Sequence, residues 1–295
     1  MKRKLAGSFV FLAALTGIAA LAQQDYSDVE IKATHVAGKV HMLEGRGGNI
    51  GLSIGDDGVL MIDDQYGPLA EKIRAAIAKL GGTAPRFLLN THWHGDHTGG
   101  NAEFGRQAVI IAHANVRKRL SERQRIFGRT TEPQPPHALP LVTFDDSVTV
   151  HFNGEDIRVL HLPNGHTDGD SVIFFTASNV VHMGDLLFNG MFPFIDLESG
   201  GDVEGYVRNV ETVLKQIKPD ARIIAGHGPL STIDDVKASL RMMKETIAVV
   251  KKGIDAGQSV KEIKAAGLPK EWDSWGTGFI KTDKWIEILH ESLTR

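Results

Sequence analysis

Within NTHWHGDHTGG, residues 90–100, three histidines and an aspartate occupy four of the six positions from His92 to His97, with glycines alongside. This density of ligand-type side chains constrains the fold more than any other feature of the chain. On an extended segment residues two apart project to one face, so His92 and His94 can address the same ion. Gly95 permits a turn that swings Asp96 and His97 to a second, adjacent position. Zinc takes about four ligands, one place being left for water when the ion is catalytic. One segment cannot fill two such sites, so the fold has to bring further histidines or carboxylates to the same edge. His166 in PNGHTDGD, Asp185 in HMGDLLF and His227 in AGHGPL each follow a strand-like run and stand beside glycine. The resulting five histidines and two aspartates suit two zinc ions that share a bridging carboxylate and a water.

The other histidines, His35, His41, His113, His137, His151, His161, His182 and His290, lack that context and read as structural or surface groups. His182, three residues before Asp185, stays a candidate to line the site. Cysteine is absent, so disulfides, thiolate ligands and thiolate nucleophiles are all excluded, and metal chemistry has to use His and carboxylates. GLSIG, residues 51–55, matches the G-x-S-x-G nucleophile elbow, which needs a strand before it and a helix after it. Here DDGVLMID continues as a second strand, so Ser53 reads as structural. Gly45, Gly47 and Gly48 fail the dinucleotide fingerprint because Ile50 stands where its last glycine belongs, and no G-K-[ST] phosphate loop exists.

Lys2, Arg3 and Lys4 precede an apolar run from Leu5 to Ala20, and Ala20-Leu21-Ala22 offers a small-x-small cleavage site. That layout is a secretory signal peptide over residues 1–22, too short for a convincing membrane span. Cleavage before Gln23 removes three cations and shifts the formal charge from −3 to −6. A mildly acidic export product, periplasmic or secreted, is a poor partner for nucleic acid or an anionic membrane surface; the partner expected of it is a small-molecule substrate. The oligomeric state is not legible.

Downstream, two strand-like runs flank Asp56-Asp57-Gly58 as a β-hairpin. Pro68 opens a helix whose apolar residues Leu69, Ile73, Ala76, Ile77 and Leu80 recur at helical spacing, with Gly81 as the stop. A buried strand, 86–90, runs into the histidine cluster. Strand 108–112 and a helix to about Arg119 follow, then a Pro-rich surface loop, TTEPQPPHALP. Residues 142–181 are β-rich, 203–217 helical, ARIIAGHG a strand, and about 231–295 a helical extension of the one domain, 23–295. Hairpins alternating with helices imply a layered α/β architecture.

The order His92-x-His94-x-Asp96-His97, then His166, Asp185 and His227, with Asp63 in VLMIDD ahead of them, resembles the metallo-β-lactamase superfamily over roughly residues 40–230. The resemblance implies a four-layer αβ/βα sandwich with a two-metal site at one sheet edge. It puts His92, His94 and His166 on a first zinc, Asp96, His97 and His227 on a second, Asp185 between them and Asp63 behind the ligands. It implies an exported hydrolase that attacks a carbonyl, of a β-lactam or a related cyclic amide or ester, with a hydroxide held between the metals, Asp96 orienting it and relaying its proton. One large subgroup of the true β-lactamases has a cysteine ligand and, three residues on, a substrate-gripping lysine; here these positions are Asp185 and Phe188. The seven-ligand set instead resembles glyoxalase II and lactonases, so lactone or thioester hydrolysis stands as an alternative. An iron-dependent sulfur dioxygenase and a non-catalytic metal-binding protein are two more, since His/Asp ligands suit iron as well as zinc. Substrate contacts are expected from the hairpin near Arg46 and from FNGMFPFIDLESGG, with Phe188, Met191, Phe192 and Phe194 as an apolar wall.

Overall fold

The computed structural model describes residues 25–126 and 128–295. The signal peptide expected over residues 1–22 lies outside the described residues.

Four antiparallel strands come first: β1 (Lys32–Ala37), β2 (Val40–Glu44), β3 (Ile50–Gly55) and β4 (Gly58–Ile62). The hairpin read from Asp56-Asp57-Gly58 joins β3 to β4, with Gly58 at φ 110°, a conformation only glycine reaches at no steric cost. Pro68 sits in a 3-10 turn, Gly67–Leu69, that leads into α1 (Ala70–Lys79), and Gly81 at φ 82° ends the helix. β5 (Pro85–Leu89) pairs parallel to β4, and two one-turn helices, α2 (Gly95–Thr98) and α3 (Asn101–Phe104), follow it. β6 (Val109–His113), α4 (Ala114–Ser121), a separate hairpin of β7 (Gln124–Ile126) and β8 (Arg129–Thr131), and β9 (Val142–Phe144) complete the first half. Its sheet has seven strands in the order β1-β2-β3-β4-β5-β6-β9.

The second sheet has five: β10 (Ser147–Phe152), β11 (Glu155–His161), β12 (Ser171–Phe175), β13 (Val180–His182) and, after α5 (Val203–Leu214), β14 (Arg222–Ile224). Then come α6 (Ile233–Asp255), α7 (Val260–Ala266) and α8 (Thr282–Thr294). Both sheets are apolar on two faces. On β4, Leu60 and Ile62 enter the core between the sheets, where they meet Ile157, Ile173 and Phe175, while Val59 and Met61 pack under Ile73 and Ile77 of α1. On β12, Val172 and Phe174 face the opposite way, toward Val210, Met243 and Trp285 of α5, α6 and α8. Period-two alternation with both faces apolar forces helices onto both outer surfaces, giving the αβ/βα order. Each fully buried Leu, Ile or Val contributes about 1.5–3 kcal/mol.

Two sequence expectations change, and the reading of Ser53 as structural holds. The Pro-rich stretch expected as a surface loop contains a 3-10 turn, Pro136–Ala138, whose Ala138 is fully buried. The hairpin β7–β8 went unread because Ile126 is the one apolar residue on its two strands, too few to show period two. Ser53 is buried inside β3, its hydroxyl accepting from Asn153 Nδ2, with β4 and not a helix after it.

Candidate metal centre

The strand ends deliver the site. β5 leads into Thr91–His94, and Asp96 and His97 follow on α2, so the turn expected at Gly95 is the start of a helix. His166 lies between β11 and β12, Asp185 in a 3-10 turn after β13, and His227 after β14. His92, His94, His166 and Asp185 offer ligand atoms within 4.8 Å of one another, and so do Asp96, His97 and His227.

Within the first group His94 Nδ1 is 3.1 Å from His92 Nε2 and 2.8 Å from His166 Nε2, and Asp185 Oδ2 is 3.3 Å from His166 Nε2 and 3.8 Å from His92 Nε2. In the second, His97 Nε2 and His227 Nε2 are 3.4 Å apart, and Asp96 Oδ2 lies 3.8 and 3.3 Å from them. Asp185 Oδ1 completes this group at 3.1 Å from His97 and 3.4 Å from His227. A tetrahedron with metal–ligand distances of 2.0–2.1 Å has edges of about 3.3 Å, and both groups have that size.

The outer partners fix which nitrogen of each ring faces inward. His94 Nε2–H donates to Asp196 Oδ2 (2.9 Å), His166 Nδ1–H to the Phe194 carbonyl (2.6 Å) and His97 Nδ1–H to Asp63 Oδ2 (2.7 Å). Thr91 Oγ1 donates to Asp63 Oδ2 and therefore accepts from His92 Nδ1–H at 3.0 Å. The inward nitrogens of His92, His94 and His166 then carry lone pairs that face one another, an arrangement a cation stabilises. The buried Asp185 Oδ1 receives no hydrogen bond, which a cation would also remedy. The donor set fits one metal ion per group.

The electrostatics separate the two groups: burial opposes charge on His97, but Asp185, Asp96 and Asp63 outweigh it and raise the ring well above the usual imidazole range, so a metal in the second group displaces protons. Burial, then the charge of His97, holds His92 well below the usual imidazole range, and burial brings His166 down to about 4. Burial also opposes charge on His227, but Asp185 and Asp96 outweigh it and raise the ring to about 9. For Asp185 burial is likewise outweighed, by His97 and His227, so the carboxylate stays ionised.

Glycines bring the backbone close. A Cβ on Gly226 would overlap Asp185 Oδ1, and one on Gly48 would overlap the His97 ring. The β2–β3 turn is stitched to both halves: Gly48 N donates to the Asp96 carbonyl, and Asn49 Nδ2 to the carbonyls of Ala225 and Gly228.

Asp63 sits behind the ligands at φ 58°, taking Thr91 N–H as well as Thr91 Oγ1 and His97. Asp196 does the same for His94, and sequence reasoning missed it because IDLESG carries no ligand spacing. His182 is buried beneath the site with Nε2 on the Asn49 carbonyl and does not line it. Of the expected apolar wall, Phe188 stacks on His227 with centroids 4.9 Å apart, and the half-buried Phe194 lies 5.8 Å from His94 and from His166. Met191 is half-buried against Gly278. Phe192 is a correction: it is buried and stacks on Trp285 at 5.7 Å in the C-terminal core, because the segment is no strand: a turn with Gly190 at φ 74° and the bond from Phe192 N–H to the Trp275 carbonyl carry it toward the C-terminal helices.

Residues 43–227 match the profile of the metallo-beta-lactamase superfamily. The chain belongs to that superfamily. It is 32% identical over 161 residues to the hydroxyacylglutathione hydrolase GloC of Haemophilus influenzae, covering 52% of this chain and 74% of that one. To the metallo-beta-lactamase type 2 of Bacteroides fragilis it is 23% identical over 161 residues, covering 55% of this chain and 60% of the other. The crystal structure of DIM-1 metallo-beta-lactamase superposes with a TM-score of 0.61 at 18% identity, over 74% of this chain and 99% of that one, a likeness of fold. The protein is thus a superfamily hydrolase with a His/Asp metal site.

Proposed function

We propose that the chain is exported, holds two zinc ions, and hydrolyses an activated acyl bond, with a thioester as the favoured substrate. The observation that carries the reading is Asp185, whose two carboxylate oxygens each complete one of two tetrahedron-sized ligand groups. His92, His94 and His166 would hold one ion and Asp96, His97 and His227 the other. A zinc pair, when bound, supplies a water acidified to near neutrality and Lewis-acid polarisation of a carbonyl. The residues do the rest. Asp96 is pushed up by burial, but His97 and His227 outweigh this and keep it ionised, so its partly exposed carboxylate is a proton acceptor at the mouth. Asp63 and Asp196 lock the rings of His97 and His94, and Phe188 shields His227 from water.

A thioester is favoured because its thiolate leaves without a proton, whereas an amide nitrogen needs one. The Haemophilus relative, named for an acyl group carried on glutathione, supports the same choice. A β-lactam is the second reading, supported by the Bacteroides relative, but at position 188 the chain presents a phenylalanine and no cation for the substrate carboxylate.

The test is a panel of a thioester, a lactone and a β-lactam on the mature protein, together with metal analysis. Two zinc per chain with thioester turnover upholds the proposal; a single iron with oxygen uptake, or a His94→Ala variant that keeps every parental activity, overturns it. Export is checked separately by cell fractionation and N-terminal sequencing, with Gln23 expected first.

A further inference from the structure

Between residues 117 and 129 the chain carries six cations against one carboxylate, Glu122, although its overall formal charge is −3. Half of these cations are committed. Arg117 Nη1 donates to the Pro140 carbonyl, Arg119 clamps Asp168 through Nε and Nη2 at 2.7 Å, and Arg123 pairs with Glu132 at 3.0 Å. Lys118, Arg125 and Arg129 are exposed and have no ion pair or hydrogen bond among the described residues.

One buried cluster links the hairpin that carries Arg125 and Arg129 to the metal-ligand loop. Ile126 packs on the cluster of Trp93, Val116 and Leu120, and the Trp93 ring is 4.8 Å from the His94 ring. The Arg119–Asp168 clamp ties α4 to the loop that holds His166, two residues away. Register then sorts the two free arginines. Ile126 lies opposite Arg129, and directly opposed residues of an antiparallel pair project to the same face. Arg129 therefore emerges on the side of α4 and Trp93, whereas Arg125, one residue out of phase with Ile126, emerges on the other. Below, the buried Trp93 indole N–H has no acceptor among the described residues. With Asp168 matched by Arg119, this flank offers donors in excess of acceptors.

We infer that Arg129 is a specificity-determining residue that receives an anionic group, carboxylate or phosphate, carried by the substrate away from the scissile bond. The inference rests on the hydrolytic reading above. A neutral substrate gains nothing from Arg129, while an anionic one is drawn to the flank of the centre and oriented there. The contact is solvent-exposed, so its effect is several-fold and falls with salt.

The test compares kcat/KM of the metal-loaded mature protein on three thioesters. Acetyl-N-acetylcysteamine has no anionic group, succinyl-N-acetylcysteamine carries a carboxylate on the acyl side, and acetyl-coenzyme A carries phosphates on the thiol side. The parent should prefer at least one anionic thioester to the neutral one. Arg129→Glu should cut that preference about fivefold and Arg125→Glu should change it less than about twofold, with high salt erasing it in the parent. A preference unchanged in Arg129→Glu, or cut equally by Arg125→Glu, overturns the inference. If no thioester is hydrolysed the hydrolytic reading fails, and calorimetric titration with succinate and with coenzyme A becomes the measurement. Weaker binding of either to Arg129→Glu than to both the parent and Arg125→Glu then upholds the anion site, and equal binding overturns it.

Discussion

Asp185 turns one oxygen to each half of the centre, and the residues behind the ligands decide whether those halves are preformed. Asp196 is 3% exposed and holds His94 through its outer nitrogen. Asp196→Ala frees that ring to rotate, and removing such an outer partner typically costs 10–100-fold in metal affinity or activity. Metal titration against a competing chelator is expected to show a loss in that range, and an unchanged affinity would refute the positioning role. Gly226→Ala acts by volume, since the new methyl meets Asp185 Oδ1 and the Gly184 carbonyl in the turn that carries Asp185. It should lower the metal content per chain, read by elemental analysis, while the far-ultraviolet circular dichroism stays that of the parent. The ligand types and their order could be read from the sequence. Asp196 could not, because a carboxylate that contacts a ligand through space has no required spacing in the chain.

At the scale of elements, the ends of β6 and β11 bring His113 and His161 into a stack, with centroids 3.6 Å apart and planes at 10°. Burial, then the neighbouring His161, lowers His113; burial also lowers His161, against the Asp170 carbonyl and the charges of Asp168 and Asp146. Both rings therefore titrate below 6.5 when folded. As pH falls through 6.5 the unfolded chain takes up protons that the folded chain does not, so stability present above that pH is lost on acidification. His161→Phe keeps a stacking ring and removes one titrating group. The dependence of stability on pH should flatten by up to about 1.4 kcal/mol per pH unit in this window, measured as urea midpoints from pH 7 to 5. Equal slopes for parent and variant would count against the account. The β3–β4 hairpin, α1 and the strand before the histidine cluster were visible in turn residues and periodicity. The β7–β8 hairpin was not, since its strands are polar and are held by the contact of Ile126 with the Trp93 cluster and by the bond from Arg119 Nη1 to Gln124 Oε1, neither of which has a local period.

For the whole molecule, three inward-facing imidazole lone pairs, from His92, His94 and His166, and the Asp185 carboxylate meet where the ends of both sheets converge, so metal should act as a folding ligand. A ligand present at a thousand times its Kd adds about 4 kcal/mol. Chelation should lower the melting temperature and zinc restore it, followed by calorimetry; a melting temperature indifferent to chelation would be inconsistent with the centre. Trp285 anchors the other end, fully buried, its Nε1 donating to Thr246 Oγ1 and its ring stacked on Phe192. Trp285→Ala should cost roughly 3–5 kcal/mol, seen in denaturant unfolding. It should also loosen the Phe188–Phe194 segment beside the metals. The sequence by itself determined the ligand inventory, the absence of thiolate chemistry and the alternating strands whose two apolar faces require helices outside, because these depend on residue type and local period. Tertiary structure alone decided that Asp185 divides its oxygens between two groups, that Asp196 supports His94, that Phe192 belongs to the core and that Ile126, opposite Arg129, packs on the Trp93 cluster. Those relations join residues up to about a hundred positions apart, and only the packing of one sheet on the other sets the distances between them.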